Sequence, residues 1–130
     1  TAHMTPGHTP GSTSWTWQSC EAGRCLDVVY ADSLTAVSLD GFRFTGGGGR
    51  PDVSALFKAS IDKVGALKCD VLLTTHPGAS GIMKKLAARD AAHNPFVDAG
   101  ACRELAAGAQ GKLAARVAAE RQGNRGQTPN

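Results

Sequence analysis

The run Met4-Thr5-Pro6-Gly7-His8-Thr9-Pro10-Gly11-Ser12-Thr13-Ser14-Trp15 leaves its backbone few shapes to adopt. Proline fixes φ, and glycine admits conformations that other residues avoid. One histidine therefore sits in a loop held on both sides by a Pro-Gly pair. A β-prone segment begins directly afterwards at Ser12. A loop this stiff presents an imidazole in one direction, which a metal site requires. A second copy of the arrangement follows downstream. The apolar run Val71-Leu72-Leu73 leads through Thr74-Thr75 to His76, and Pro77-Gly78-Ala79-Ser80 comes next. Two histidines, each closing a strand at one edge of the same sheet, are expected to converge on one site.

The rest of the chain reads as alternating short elements. Thr1 to Met4 reads as the end of a strand. Trp15 and Trp17 share parity within a strand over Ser12 to Ser19, so one sheet face should carry both. Leu26 to Tyr30 returns as the next strand, and Asp32 to Thr35 forms a turn at its end. Val37 to Arg50 is a long loop closing on Gly46 to Gly49, where high backbone entropy predicts mobility. Pro51-Asp52-Val53-Ser54 opens a helix with Leu56, Phe57, Ile61, Val64 and Leu67 along its buried face. Val71 to Leu73 is a buried strand. A second helix is expected over Gly81 to Ala92, with Met83 and Leu86 inward, broken by Pro95. Asp98 can cap a last helix from about Ala99 to Glu120. Residues 123–130 lack apolar side chains and should fray, leaving a domain over residues 1–122.

Composition sets the bounds. With 130 residues the chain suits one domain. The apolar fraction of 42% is adequate for a core, but aromatics make up only 5%, so an alanine-rich interior buries little area per residue. The net charge of +3 has no basic stripe interleaved with aromatics, which argues against nucleic-acid binding. The basic residues Arg116, Arg121 and Arg125 read as a solvated face. No apolar run approaches the ~20 residues of a membrane span. Four cysteines allow three pairings. Cys20 and Cys25 bracket Glu21-Ala22-Gly23-Arg24 between two strands, and a hairpin would bring them within bonding reach. Disulfides imply an oxidising compartment.

Four segments resemble the metallo-β-lactamase family, and within it the third subclass. They are GHTPGSTSW at Gly7 to Trp15, YADSLT at Tyr30 to Thr35, CDVLLTTHPGAS at Cys69 to Ser80, and NPFVDAGACRELA at Asn94 to Ala106. They fall in family order over almost the whole chain. The fold implied is α/β: the C-terminal half of a four-layer αββα sandwich, a mixed sheet with flanking helices. The family's zinc-binding HxHxDH cluster lies upstream of the GHTPGS loop and does not occur in this sequence. By that resemblance the chain is a truncation product, a proteolytic piece or a deliberately made piece.

The resemblance also implies roles. His8 would be the third histidine of a first zinc site, and His76 the histidine of a second, so the chain would give one ligand to each of two zinc ions. Ser33 and Thr35 would hold the carboxylate of a β-lactam substrate, although hydroxyls in such turns commonly cap the backbone. Asp32 would orient the turn. The same subclass bridges Cys69 to Cys102. His3 has no ligand role in it, and His93, at a helix end before Asn94-Pro95, reads as a surface residue that complements the helix dipole. The parent activity implied is β-lactam ring opening by zinc-bound hydroxide in the bacterial periplasm, with antibiotic resistance as its outcome. No GxSxG occurs to activate a serine. The N-terminal half is expected as partner, and self-association through the exposed half-sandwich face as its substitute. The alternatives are another hydrolase of this fold, a lactonase or thioesterase, or a non-catalytic piece. Without the missing ligands, the chain alone is expected to be inactive.

Overall fold

A computed structural model describes residues 1–125 of the chain. Four strands form one mixed sheet in the order β1-β2-β3-β4: β1 (Ala2–Met4), β2 (Thr13–Glu21), β3 (Arg24–Ala31) and β4 (Val71–Thr74). The first two pairings are antiparallel and the last is parallel. Antiparallel neighbours can be joined by a tight turn, and β2 and β3 are joined by Ala22 and Gly23, with φ of 48° and 80°. Cys20 lies opposite Cys25 in this hairpin, and the two form a disulfide. The parallel step from β3 to β4 needs a crossover, which contains helix α1 (Ser54–Gly65). Beyond β4 come a short α2 (Ile82–Ala87) and a long α3 (Ala101–Arg125).

Strand parity separates the two faces of the sheet. Val29 and Ala31 pair with Leu72 and Thr74, and all four are buried. With them pack Phe57, Ile61 and Val64 of α1 and Ala106, Ala109 and Leu113 of α3. The other parity carries the rows Trp15–Tyr30–Leu73 and Trp17–Val28–Val71. Both tryptophans lie there, as parity requires, and each is about half exposed. Cys69 and Cys102 form a second disulfide, tying the start of β4 to α3. This one mixed sheet with helices has the α/β character expected of the chain.

Several local expectations are corrected. Leu56 is half exposed, and its place in the buried row of α1 is taken by Ser60. Ser60 Oγ donates to Pro6 O at 2.6 Å, so the buried hydroxyl is satisfied. Helix α2 stops at Ala87 rather than Ala92. The Asp90 carboxylate accepts the backbone N–H of Ala92 and of His93, and that turn ends the helix ahead of Pro95. Met83 and Leu86 are exposed, not inward. Helix α3 runs past Glu120 through Arg125, so residues 123–125 of the expected tail are helical; 126–130 lie outside the described residues.

The loop over residues 37–50 is anchored rather than free. Glu120 on α3 accepts Phe44 N at 3.1 Å, Thr45 N at 2.9 Å, Thr45 Oγ1 at 2.9 Å and Arg116 Nε at 2.7 Å. Burial pushes the Glu120 carboxyl upward, but the Arg116 guanidinium and these donors outweigh it and hold the pKa down to about 2. The Phe44 ring, fully buried, stacks on Phe57 with centroids 5.6 Å apart.

Candidate functional site

Because β1, β3 and β4 run in the same direction, their C-terminal ends lie at one end of the sheet. The His8 loop follows β1, the Asp32–Thr35 turn follows β3, and His76 follows β4. The two histidine loops thus follow strands that end on the same side of one sheet, although those strands are not neighbours. β1 and β4 are the two outer strands, and the turn after β3 stands between the loops.

That turn connects them. His8 Nδ1 lies 2.9 Å from Thr35 O. A carbonyl only accepts, so Nδ1 carries the proton and Nε2 keeps its lone pair. On the other side, a cavity of about 330 Å³ is lined by Asp32, Ser33, Thr35, His76 and Ser80, and continues to Lys112 of α3. Ser33, Thr35 and His76 thus share one cavity, and His8 is bonded to the backbone at its border.

Each side chain is held differently. Ser14 Oγ accepts Asp32 N at 3.2 Å, and Asp32 Oδ1 accepts Ser33 N at 2.7 Å. Ser33 Oγ accepts Thr35 N at 3.4 Å and is largely buried, so its hydroxyl serves the turn itself. Thr74 Oγ1 donates to His76 O at 2.8 Å and is 2.9 Å from Ser80 Oγ. With its single proton committed to His76 O, Thr74 accepts from Ser80. His76 itself is exposed. His3 is engaged elsewhere, with Nε2 2.9 Å from Thr16 Oγ1, and His93 lines a different hollow beside Arg24 and Arg89.

Donor chemistry limits what the chain can hold. All four cysteines are oxidised, so no thiolate is available. Among the described residues no group of three or more histidine, cysteine, aspartate or glutamate side chains is placed to bind a metal ion. A catalytic zinc usually takes three protein ligands. The residues therefore fit a share of a metal site and not a whole one. Lys112 is the participant that sequence reading missed: it sits on a helix far along the chain, and no local motif marks it.

No protein-family model matches the chain. Solved structures do match it. The Rm3 metallo-β-lactamase is 46% identical with a TM-score of 0.86, over 93% of this chain and 45% of its own. MEM-A1, a subclass B3 metallo-β-lactamase from a soil metagenome library, is 41% identical with a TM-score of 0.86, over 94% and 47%. The metallo-β-lactamase SMB-1, bound to 2-mercaptoethanesulfonate, is 45% identical with a TM-score of 0.83, over 92% and 45%. This chain thus spans somewhat less than half the length of the proteins it matches. In sequence and in fold it belongs with the subclass B3 metallo-β-lactamases.

Proposed function

We propose that this chain forms one side of a di-zinc β-lactam hydrolase site and does not hydrolyse β-lactams unaided. His8 would give Nε2 to one zinc and His76 its imidazole to the other, while Ser33 and Thr35 would face the substrate carboxylate. The observation that carries this reading is the turn after β3. Its Thr35 carbonyl fixes the tautomer of His8, and its side chains line the same cavity as His76. Such a hydrogen bond on the non-ligating nitrogen is how metal-binding histidines are generally oriented. Zinc in a completed site would supply an acidified water and polarise the lactam carbonyl. The binding of SMB-1 to 2-mercaptoethanesulfonate, a small anion, suits an anionic small-molecule substrate. Of the two hydroxyls, that of Ser33 also accepts Thr35 N, which leaves its proton for the substrate carboxylate. The remaining ligands would come from the portion of the relatives that this chain does not span. The two disulfides suit an oxidising compartment, the bacterial periplasm. No described helix is long and apolar enough to cross a membrane.

Nitrocefin hydrolysis with added zinc tests this. The chain alone should show no turnover above background. Adding a polypeptide carrying the part of Rm3 that this chain does not cover should give turnover that chelator removes. That turnover should fall at least ~100-fold in His8→Ala and in His76→Ala, since loss of a mere hydrogen-bond partner of a metal ligand already costs about 10–100-fold. Chelator-sensitive turnover by the chain alone, lost in His8→Ala, would overturn the proposal. A complemented sample that opens lactones or thioesters but spares nitrocefin would select the other hydrolase reading.

A further inference from the structure

We infer that α1 is the platform that positions His8, with Ser60 as the positioning residue. This rests on the reading of His8 as a ligand and extends it to residues far away in the sequence. Three residues at three-residue spacing along α1 meet the backbone ahead of His8. Lys63 Nζ donates to Met4 O at 2.8 Å. Ser60 Oγ donates to Pro6 O at 2.6 Å. The Phe57 ring lies against Gly7 so closely that a methyl group there would sit 2.1 Å from Phe57 Cδ2. Gly7 also has a φ of 149°, which side-chain-bearing residues avoid.

The three contacts act in series on one short segment. Pro6 cannot donate a backbone hydrogen bond, so its carbonyl is its only polar backbone handle. A buried serine takes that handle, and its second contact, to Leu56 O at 3.2 Å, keeps the hydroxyl over the helix. Gly7 must then lie flat on a fully buried ring. His8 leaves this platform with its Nδ1–H aimed at Thr35 O. A serine at a core-facing position of an otherwise apolar helix face needs a reason, and this contact supplies one.

The test reads the His8 ring rather than activity. In the ¹⁵N-labelled chain, long-range proton–nitrogen correlation gives the ratio of Nδ1–H to Nε2–H tautomer at His8. Ser60→Ala should lower that ratio about two- to tenfold, the range set by loss of one hydrogen bond's preference. Ser60→Thr, which keeps the hydroxyl, should restore it. A folded Ser60→Ala chain with an unchanged ratio would overturn the inference. Should Ser60→Ala not fold, Lys63→Met decides through an exposed side chain: a lowered ratio supports the platform, and no change overturns it. Zinc titration of the unsubstituted chain tests the underlying reading separately. If the His8 nitrogens do not respond to zinc while the tautomer still depends on Ser60, the ligand role fails and the platform stands.

Discussion

The two histidine loops carry nearly the same sequence signature and are built to different standards. His8 is held from three directions: by α1 beneath it, by the turn after β3 beside it, and by a buried Thr5–Ser14 hydroxyl pair at its base. His76 leans on its own strand. Thr74 and Ser80, both within the same local segment, make the side-chain contacts there, and the residues from Thr75 to Ala79 are exposed. A Pro-Gly flank therefore restricts a loop without determining its anchorage. Anchorage depends on what the fold packs against the loop. A ligand whose loop is clamped before the site is complete is preorganised; one whose loop is not must be ordered by binding.

The largest effect should come from removing the Cys69–Cys102 bridge. The bond spans 33 residues and ties β4 to α3. The double variant Cys69→Ala/Cys102→Ala should lose about 3–4 kcal/mol by loop-entropy scaling. Denaturant unfolding reads the loss, and hydrogen exchange should rise more in β4 than in β2. Equal loosening of both loops would erase the contrast between them.

Acid should act on the opposite end. Glu120 holds Phe44 N, Phe44 stacks on Phe57, and Phe57 lies under Gly7. The Glu120 pKa is depressed from 4.5 to about 2, so its contribution is complete above pH 4.5 and is lost as pH falls through 2. That contribution is on the order of 2–3 kcal/mol. Unfolding midpoints across this window should show the loss, and Glu120→Gln should flatten the pH dependence there. Amide shifts in the His8 loop should move with it, ahead of those near His76. Movement at His76 first would reverse the assignment.

The smallest effect is expected for Thr74→Val. It removes the donor to His76 O and the acceptor for Ser80 without changing the shape of the side chain. The expected cost is about 1 kcal/mol, with faster exchange confined to residues 76–80. A comparable response at His8 would show that the two loops are coupled through the Asp32–Thr35 turn.

What was legible in the sequence was mostly local. The Pro-Gly loops, the hairpin disulfide and the end-of-strand turn each involve residues close in the chain, where turn chemistry and strand parity suffice. The platform was not legible, because Ser60 at its centre is buried by position but polar by type. Counting apolar residues placed Leu56 on the buried face and passed over Ser60, whose partner Pro6 lies more than fifty positions away. The anchorage beside the glycine-rich run was hidden in the same manner. The glycines predict motion, while the carboxylate that holds Phe44 and Thr45 just before them lies on the last helix. Short α2 shows the converse: an apolar Met83 and Leu86 say inward only when a neighbour exists to receive them. Lys112, which also lines the cavity, belongs to no motif at all.

The paired tryptophans on the sheet face away from α1 and α3 carry an optical consequence. They are the only two indoles in the chain, and both stand on the same side of one strand. Indole emission from this molecule therefore reports a single surface. It will follow the polarity of whatever lies against that surface, while events under the helices reach it only through the sheet.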